Sequence, residues 1–160
     1  MVGTVISLHV AGMFAPSPIS GWLADRIGPT AVAGVGCFFV VVAGVGGALS
    51  DPHSAGSMVL VLVTLGVGWN FGVVGGSTLI ARSVTTSLRV YVEGVGEIAM
   101  GVAAAAAAPL AGLIIALGGF SALSLVVAVI ALAVAACLRP RSSPDRPNER
   151  RTALTARVGR

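Results

Sequence analysis

Apolar residues fill this chain in long uninterrupted blocks, and the few charged or turn-forming positions fall between them. The blocks run from Val2 to Ala24, Thr30 to Ser50, Ser57 to Ala81, Val92 to Leu117 and Phe120 to Leu138. The first contains a single histidine, His9, and no acid or base; the second contains no acid, base or histidine at all. Blocks of ~20 apolar residues, rising ~1.5 Å per residue as helices, are long enough to cross a ~30 Å hydrocarbon layer. The pattern predicts an all-α fold: a polytopic transmembrane helical bundle with about five membrane-spanning helices over residues 1–138.

Composition supports that reading and excludes an ordinary soluble domain, since 56% of the residues are hydrophobic and only 10% are charged. The front of the chain lacks a basic stretch and a cleavage site, so the first block reads as a retained helix rather than a secretory signal.

Charge placement sets an orientation. All ten basic residues are arginine: Arg26, Arg82 and Arg89 lie in two connectors, and seven follow from Arg139 onward. The connectors Asp51 to Gly56 and Gly118-Gly119 hold none. Basic residues are retained in the cytoplasm, so all ten fall on the inner side and residue 1 falls outside. Such a start, with an odd number of spans, reads as a chain whose front is missing. Residues 139–160 combine prolines, serines and charges and cannot bury enough apolar surface to order themselves. They are expected to form a disordered basic cytoplasmic tail, either a solvated end or an anchor to anionic lipid. A net charge of +4 does not point to nucleic acid here, because no arginine lies inside an apolar block and no aromatic residues are interleaved with them.

Small residues recur at helical spacing within the blocks. Thr64, Gly68, Gly72 and Gly76 form one ridge, and Ala104, Ala108, Gly112 and Ala116 another, where helices can approach closely. Pro16, Pro18 and Pro109 are expected to kink their spans. Cys37 and Cys137 sit in separate apolar blocks with no CxxC pair and no histidine at metal-ligand spacing, and read as buried free thiols. There is no Ser-His-Asp set, metal cluster or phosphate-cradling loop, so neither an enzyme nor a bound cofactor is expected.

The connector Gly21-x-x-x-Asp25-Arg26-x-Gly28 resembles the signature that the major facilitator superfamily of secondary transporters carries between the second and third helices of each six-helix half. The signature continues with two basic residues, and Pro29 and Thr30 stand there in this chain. His9 to Ser17, then Leu65 to Phe71 with Gly75 to Leu79, resemble the eighth and tenth helices of a bacterial branch of that superfamily. The resemblance implies a partial C-terminal half, helices eight to twelve, in a bacterial inner membrane. It also implies a gating role for Gly21, Asp25, Arg26 and Gly28, the acid meeting a helix end in the opposite half. Within this chain Asp25 lies beside the start of the next helix at Thr30, whose free amides favour an acid, and Arg26 can pair with it or with lipid phosphate.

Six further positions carry candidate chemistry. A charge at a helix centre costs roughly 2.5–3.5 kcal/mol on insertion scales, so an acid within the fourth block needs a reason. Glu97 lies ~12 Å from Arg89 along a continuous helix, with Glu93 one turn shallower on the same face. Two like carboxylates at that spacing repel, and a proton taken up by one relieves the repulsion. Glu97 is therefore the leading proton-coupling candidate and Glu93 the second, against the alternative that both acids favour a helix N-terminus. Asn70 lies ~18 Å from Arg82, near the bilayer midplane, with Trp69 beside it and Ser77 on the same face. It is a candidate cavity-wall residue or, alternatively, an interhelical hydrogen-bonding group. His9 is a candidate cavity residue or a satisfied bundle histidine.

The function expected is membrane transport of a small solute by a secondary, proton-coupled carrier; the alternative is a non-transporting membrane chain or helical assembly partner. Expected partners are the lipid bilayer, a small-molecule solute, protons, and missing N-terminal helices or a second bundle, with no nucleic acid. Reporter fusions at Arg141 and His53 should report opposite faces of the membrane. The same face for both would overturn the span assignment.

Overall fold

The computed structural model describes residues 2–51 and 54–138, all α-helix, turn or short connector with no strand among them. In chain order the helices are α1 (Val2–Phe14), α2 (Ser17–Ile27), α3 (Pro29–Leu49), α4 (Ala55–Ser83) and α5 (Thr86–Cys137). α3, α4 and α5 are each long and apolar enough to cross a membrane. α1 and α2, with 13 and 11 residues, reach that length only end to end. The basic tail expected over residues 139–160 lies outside the described residues.

The boundaries follow from local chemistry. Where a bend was expected in the first block, the helix stops after Phe14 and restarts at Ser17, because Pro16 and Pro18 have no amide hydrogens to offer the preceding turn. Gly28, at φ 92°, both ends α2 and precedes α3, whose first residue is Pro29. That backbone angle suits a residue without a side chain, and proline suits the first helical position. α5 has 52 residues, ~78 Å if straight, more than twice the hydrocarbon thickness. It turns at Gly119 (φ 73°, ψ −175°), between the fourth and fifth apolar blocks. Pro109 lies within α5 but leaves its backbone helical, so no break forms there.

α3 is the hub, packed on α4 along one face and on the later arm of α5 along another. Both contacts are backbone-close. A Cβ added at Gly36 would lie 2.5 Å from the Gly72 nitrogen, and one at Gly75 the same distance from the Ala33 nitrogen. On the other face, a Cβ at Gly44 would lie 2.7 Å from the Ser124 carbonyl oxygen, and one at Gly47 2.8 Å from Ser124 Oγ. α1 reaches α4 through Gly12 and Gly66, where a Cβ at Gly66 would lie 2.6 Å from the His9 carbonyl. A small core of Ala24, Val32 and Phe71, flanked by Leu23, Val35 and Val67, joins α2, α3 and α4.

The ridges therefore sit differently from the expectation. Gly68 and Gly72 do meet α3, but a Cβ at Gly76 would meet nothing within 4 Å; Gly66 and Gly75, outside the predicted stripe, make the closest contacts with α1 and α3. Ala104, Ala108, Gly112 and Ala116 are exposed on the early arm of α5. Cys37 is half-buried and Cys137 exposed, so only one of the two thiols is even partly enclosed.

Gly75→Ala should destabilise the helical bundle by ~1–3 kcal/mol through overpacking against α3. Gly76→Ala should be neutral or gain up to ~1 kcal/mol from helix propensity. Denaturant titration of the detergent-solubilised chain, followed by circular dichroism, measures both.

Candidate functional site

The early arm of α5 stands off from α4, and the gap is a cavity of about 690 Å³ walled by α3, α4 and both arms of α5. α3 contributes Cys37 and Val40, and α4 contributes Trp69, Val73, Ser77 and Ile80. Glu93, Glu97 and Met100 come from the early arm of α5, and Ile130 and Val134 from the late arm. The wall is apolar with a few polar groups. On α5 the two acids are one turn apart, so both carboxylates face the same space. Gly36, Gly68, Gly72 and Gly96 bring backbone rather than side chain to the lining, which keeps it open.

Four of the six interior candidates meet in this cavity: Trp69, Ser77, Glu93 and Glu97. Asn70 and His9 do not line it. Asn70 is only 4% exposed, and all of its amide is engaged inside the protein. Its Nδ2 donates to the Met13 carbonyl at 2.8 Å and to Ser17 Oγ at 2.7 Å, while its Oδ1 accepts from Ser20 Oγ at 2.7 Å. Of the two readings open for Asn70, the geometry is that of the interhelical hydrogen-bonding group. By their seven-residue spacing Asn70 and Ser77 lie on one face of α4, but the neighbours along it change: Ser77 opens to the cavity while Asn70 meets α1 and α2. His9 is half-buried, its Nδ1 within hydrogen-bond distance of the Leu62 carbonyl, which ties α1 to α4.

The connector between α2 and α3 is arranged by pairs that sequence spacing did not show. Asp25 Oδ1 accepts from Arg82 Nη2 at 2.8 Å, an ion pair across 57 positions that closes the end of α2 onto the end of α4. It does not cap the helix that begins at Pro29, which has no side-chain cap. Arg26, expected beside Asp25 or a phosphate, stacks its guanidinium 4.8 Å above the Trp22 ring. Gly21 leaves open space and Gly28 makes the turn. Arg89 Nη2 donates to the Ala81 carbonyl at 3.0 Å and fastens the start of α5 to the end of α4. Sequence spacing does not pair Ser17 and Ser20 with Asn70, nor Arg82, which marks an arginine-bearing connector, with Asp25. The signal available for the serines was their spacing of three residues beside Pro16 and Pro18, opposite a buried amide. Among the described residues no group of three or more histidine, cysteine, aspartate or glutamate side chains could hold a metal ion.

Comparison with known proteins bears on this arrangement. The Major Facilitator Superfamily model matches residues 1–158. YddS of Bacillus subtilis (strain 168), described as an uncharacterized MFS-type transporter, is 38% identical over 131 residues, or 82% of this chain and 30% of its own length. YdeG of the same organism, described in the same way, is 37% identical over the same shares. The riboflavin transporter RfnT of Brucella anthropi is 29% identical over 130 residues, 79% of this chain and 32% of its own length. This chain thus spans about 30% of the length of the curated relatives it matches. No solved structure matches.

The cavity makes a direct prediction about access. In a Cys37→Ser/Cys137→Ser background, Trp69→Cys and Ser77→Cys should react with a small water-soluble thiol reagent. Phe71→Cys, on the buried face of the same helix, should react on the order of tenfold more slowly. Equal rates at all three positions would show that α4 does not divide the two environments.

Proposed function

The chain belongs to the Major Facilitator Superfamily, and on that premise we propose that it forms part of a secondary transporter in which α3, α4 and α5 wall the path of a small solute. The observation that carries this reading is the cavity in which Trp69, Ser77, Glu93 and Glu97 converge. Its volume falls in the range of sites that enclose drug-sized molecules, roughly 300–1,000 Å³, and its wall is mostly apolar with few polar groups. Trp69, 51% exposed, offers a flat face for stacking, and Ser77 a hydroxyl that donates and accepts. A flat amphipathic solute suits that lining, and the relative named for riboflavin makes flavins the first compounds to try.

Glu97 is the proposed proton carrier. It lies deeper along α5 than Glu93, and both carboxylates face the cavity. Release on the other side would accompany the solute step. Alternating access requires two bundles that rock about a shared site, and this chain spans under a third of its relatives' length. The second bundle is proposed to come from further helices or another copy, with the arginine-bearing ends of α2 and α4 on the cytoplasmic side.

Proteoliposomes test this. The 160-residue chain alone should insert without accumulating solute, and joined to the helices that complete two bundles it should concentrate solute when a proton gradient is imposed. In that complete form Glu97→Gln, which keeps shape and hydrogen bonding but cannot carry a proton, should abolish gradient-driven accumulation and spare exchange. Retained accumulation would overturn the proton role of Glu97.

A further inference from the structure

α2 differs from the other helices in how it is held. At its start Ser17 Oγ and Ser20 Oγ both bond the Asn70 side chain, and at its end Asp25 pairs with Arg82, so each end is fastened to α4 by polar groups. Between these ends the residues it buries fully are Ser20 and Ala24, with Leu23 half-buried. Ala24 and Leu23 are its share of the core with Val32 and Phe71, one narrow apolar contact between two polar fastenings to α4. Both ends are also backbone breaks: Pro16 and Pro18 interrupt the join to α1, and Gly28 at φ 92° separates α2 from α3.

The hydrogen bonds allow release at low cost. Ser20 Oγ already lies 3.2 Å from the Ser17 carbonyl, an acceptor within its own helix, so undocking does not strand that hydroxyl. Asn70 keeps its bond to the Met13 carbonyl, which belongs to α1 rather than α2. α1 has its own attachments to α4 at Gly12, Gly66 and His9. Asn70 therefore stands at a fork, with one bond to the stationary helix and two to the detachable one.

We propose that α2 is a mobile segment that swings as a unit about Ala15–Pro16 and Gly28, and that Asn70 is the latch holding it docked on α4. This goes beyond the transport reading, because it concerns the motion of this chain in a bilayer without any solute.

The test uses the full chain in lipid nanodiscs, in a Cys37→Ser/Cys137→Ser background, with spin-label distances measured by pulsed resonance. Labels at Trp22→Cys and Leu60→Cys follow the middle of α2, and labels at Leu8→Cys and Ile80→Cys follow α1; all four sites are exposed. Ser17→Ala/Ser20→Ala should add a second population to the Trp22–Leu60 distance, shifted by several ångströms, and leave the Leu8–Ile80 distance single. Adding Pro16→Ala/Pro18→Ala, which returns the missing amide hydrogens to the join, should suppress the second population. An unchanged Trp22–Leu60 distance, equal broadening of both distances, or a second population that survives the proline replacements would each overturn the proposal. Should the serine variant fail to insert, Arg82→Gln at the exposed end should produce the same second population in smaller amount. Its absence in an inserted Arg82→Gln chain would also overturn the latch.

Discussion

A polar group inside a hydrocarbon layer must find its partners within the protein, because neither lipid tails nor water supply them there. The rest of this structure depends on how that demand is met where the first span breaks. Pro16 and Pro18 withhold two amide hydrogens from the turn that precedes them, and Asn70 brings an amide from another helix to the same place. The cluster is closed: every buried side-chain nitrogen and oxygen among the described residues has a partner. Removing the amide would take a donor from the Met13 carbonyl and from Ser17 Oγ and an acceptor from Ser20 Oγ, so the break and Asn70 form one structural unit.

Helices in lipid gain no hydrophobic drive from meeting each other, so contact has to come from close backbone approach. Gly36 against Gly72, Gly75 against Ala33 and Gly44 against Ser124 supply it, and all three contacts involve α3. Concentrating the close approaches on α3 has a geometric consequence. α4 and the late arm of α5 are drawn to it on different faces, while the early arm has no such contact and stands away. The cavity is the space left between an arm without glycine contacts and a hub that has many.

Much of this fold can be read in the chain because membrane crossing is written in lengths and charges. The breaks at Gly28 and Gly119 fall where the apolar blocks are interrupted, and the resemblance carried by Gly21 to Gly28 agrees with the matched family. Pairing between helices was less legible. Periodicity placed a ridge along Gly68, Gly72 and Gly76, but every face of α4 carries small residues, so spacing alone could not say that Gly66 and Gly75 make the tighter contacts. Sequence adjacency pairs Asp25 with its neighbour; its partner is Arg82, because a short helix and a long one end at the same level. Spacing leaves Asn70 between the cavity and a helix contact, and only the position of the broken α1–α2 join distinguishes the two. Glu93 and Glu97 stand out because charge is rare in such blocks, a signal that needs no partner to be known.

Three consecutive residues of α4 show how these environments are coupled. Successive side chains on a helix point about 100° apart, and here Trp69 faces the cavity, Asn70 the broken span and Phe71 the core, where its ring lies 6.0 Å from that of Phe39. Because the three share one helical turn, rotation of α4 about its axis would move all of them together. The cavity, the broken span and the core are thus met by one turn of α4. Arg82 of the Asp25 ion pair and the cavity wall at Trp69 and Ser77 belong to one helix, α4, to which the broken span is fastened at Asn70.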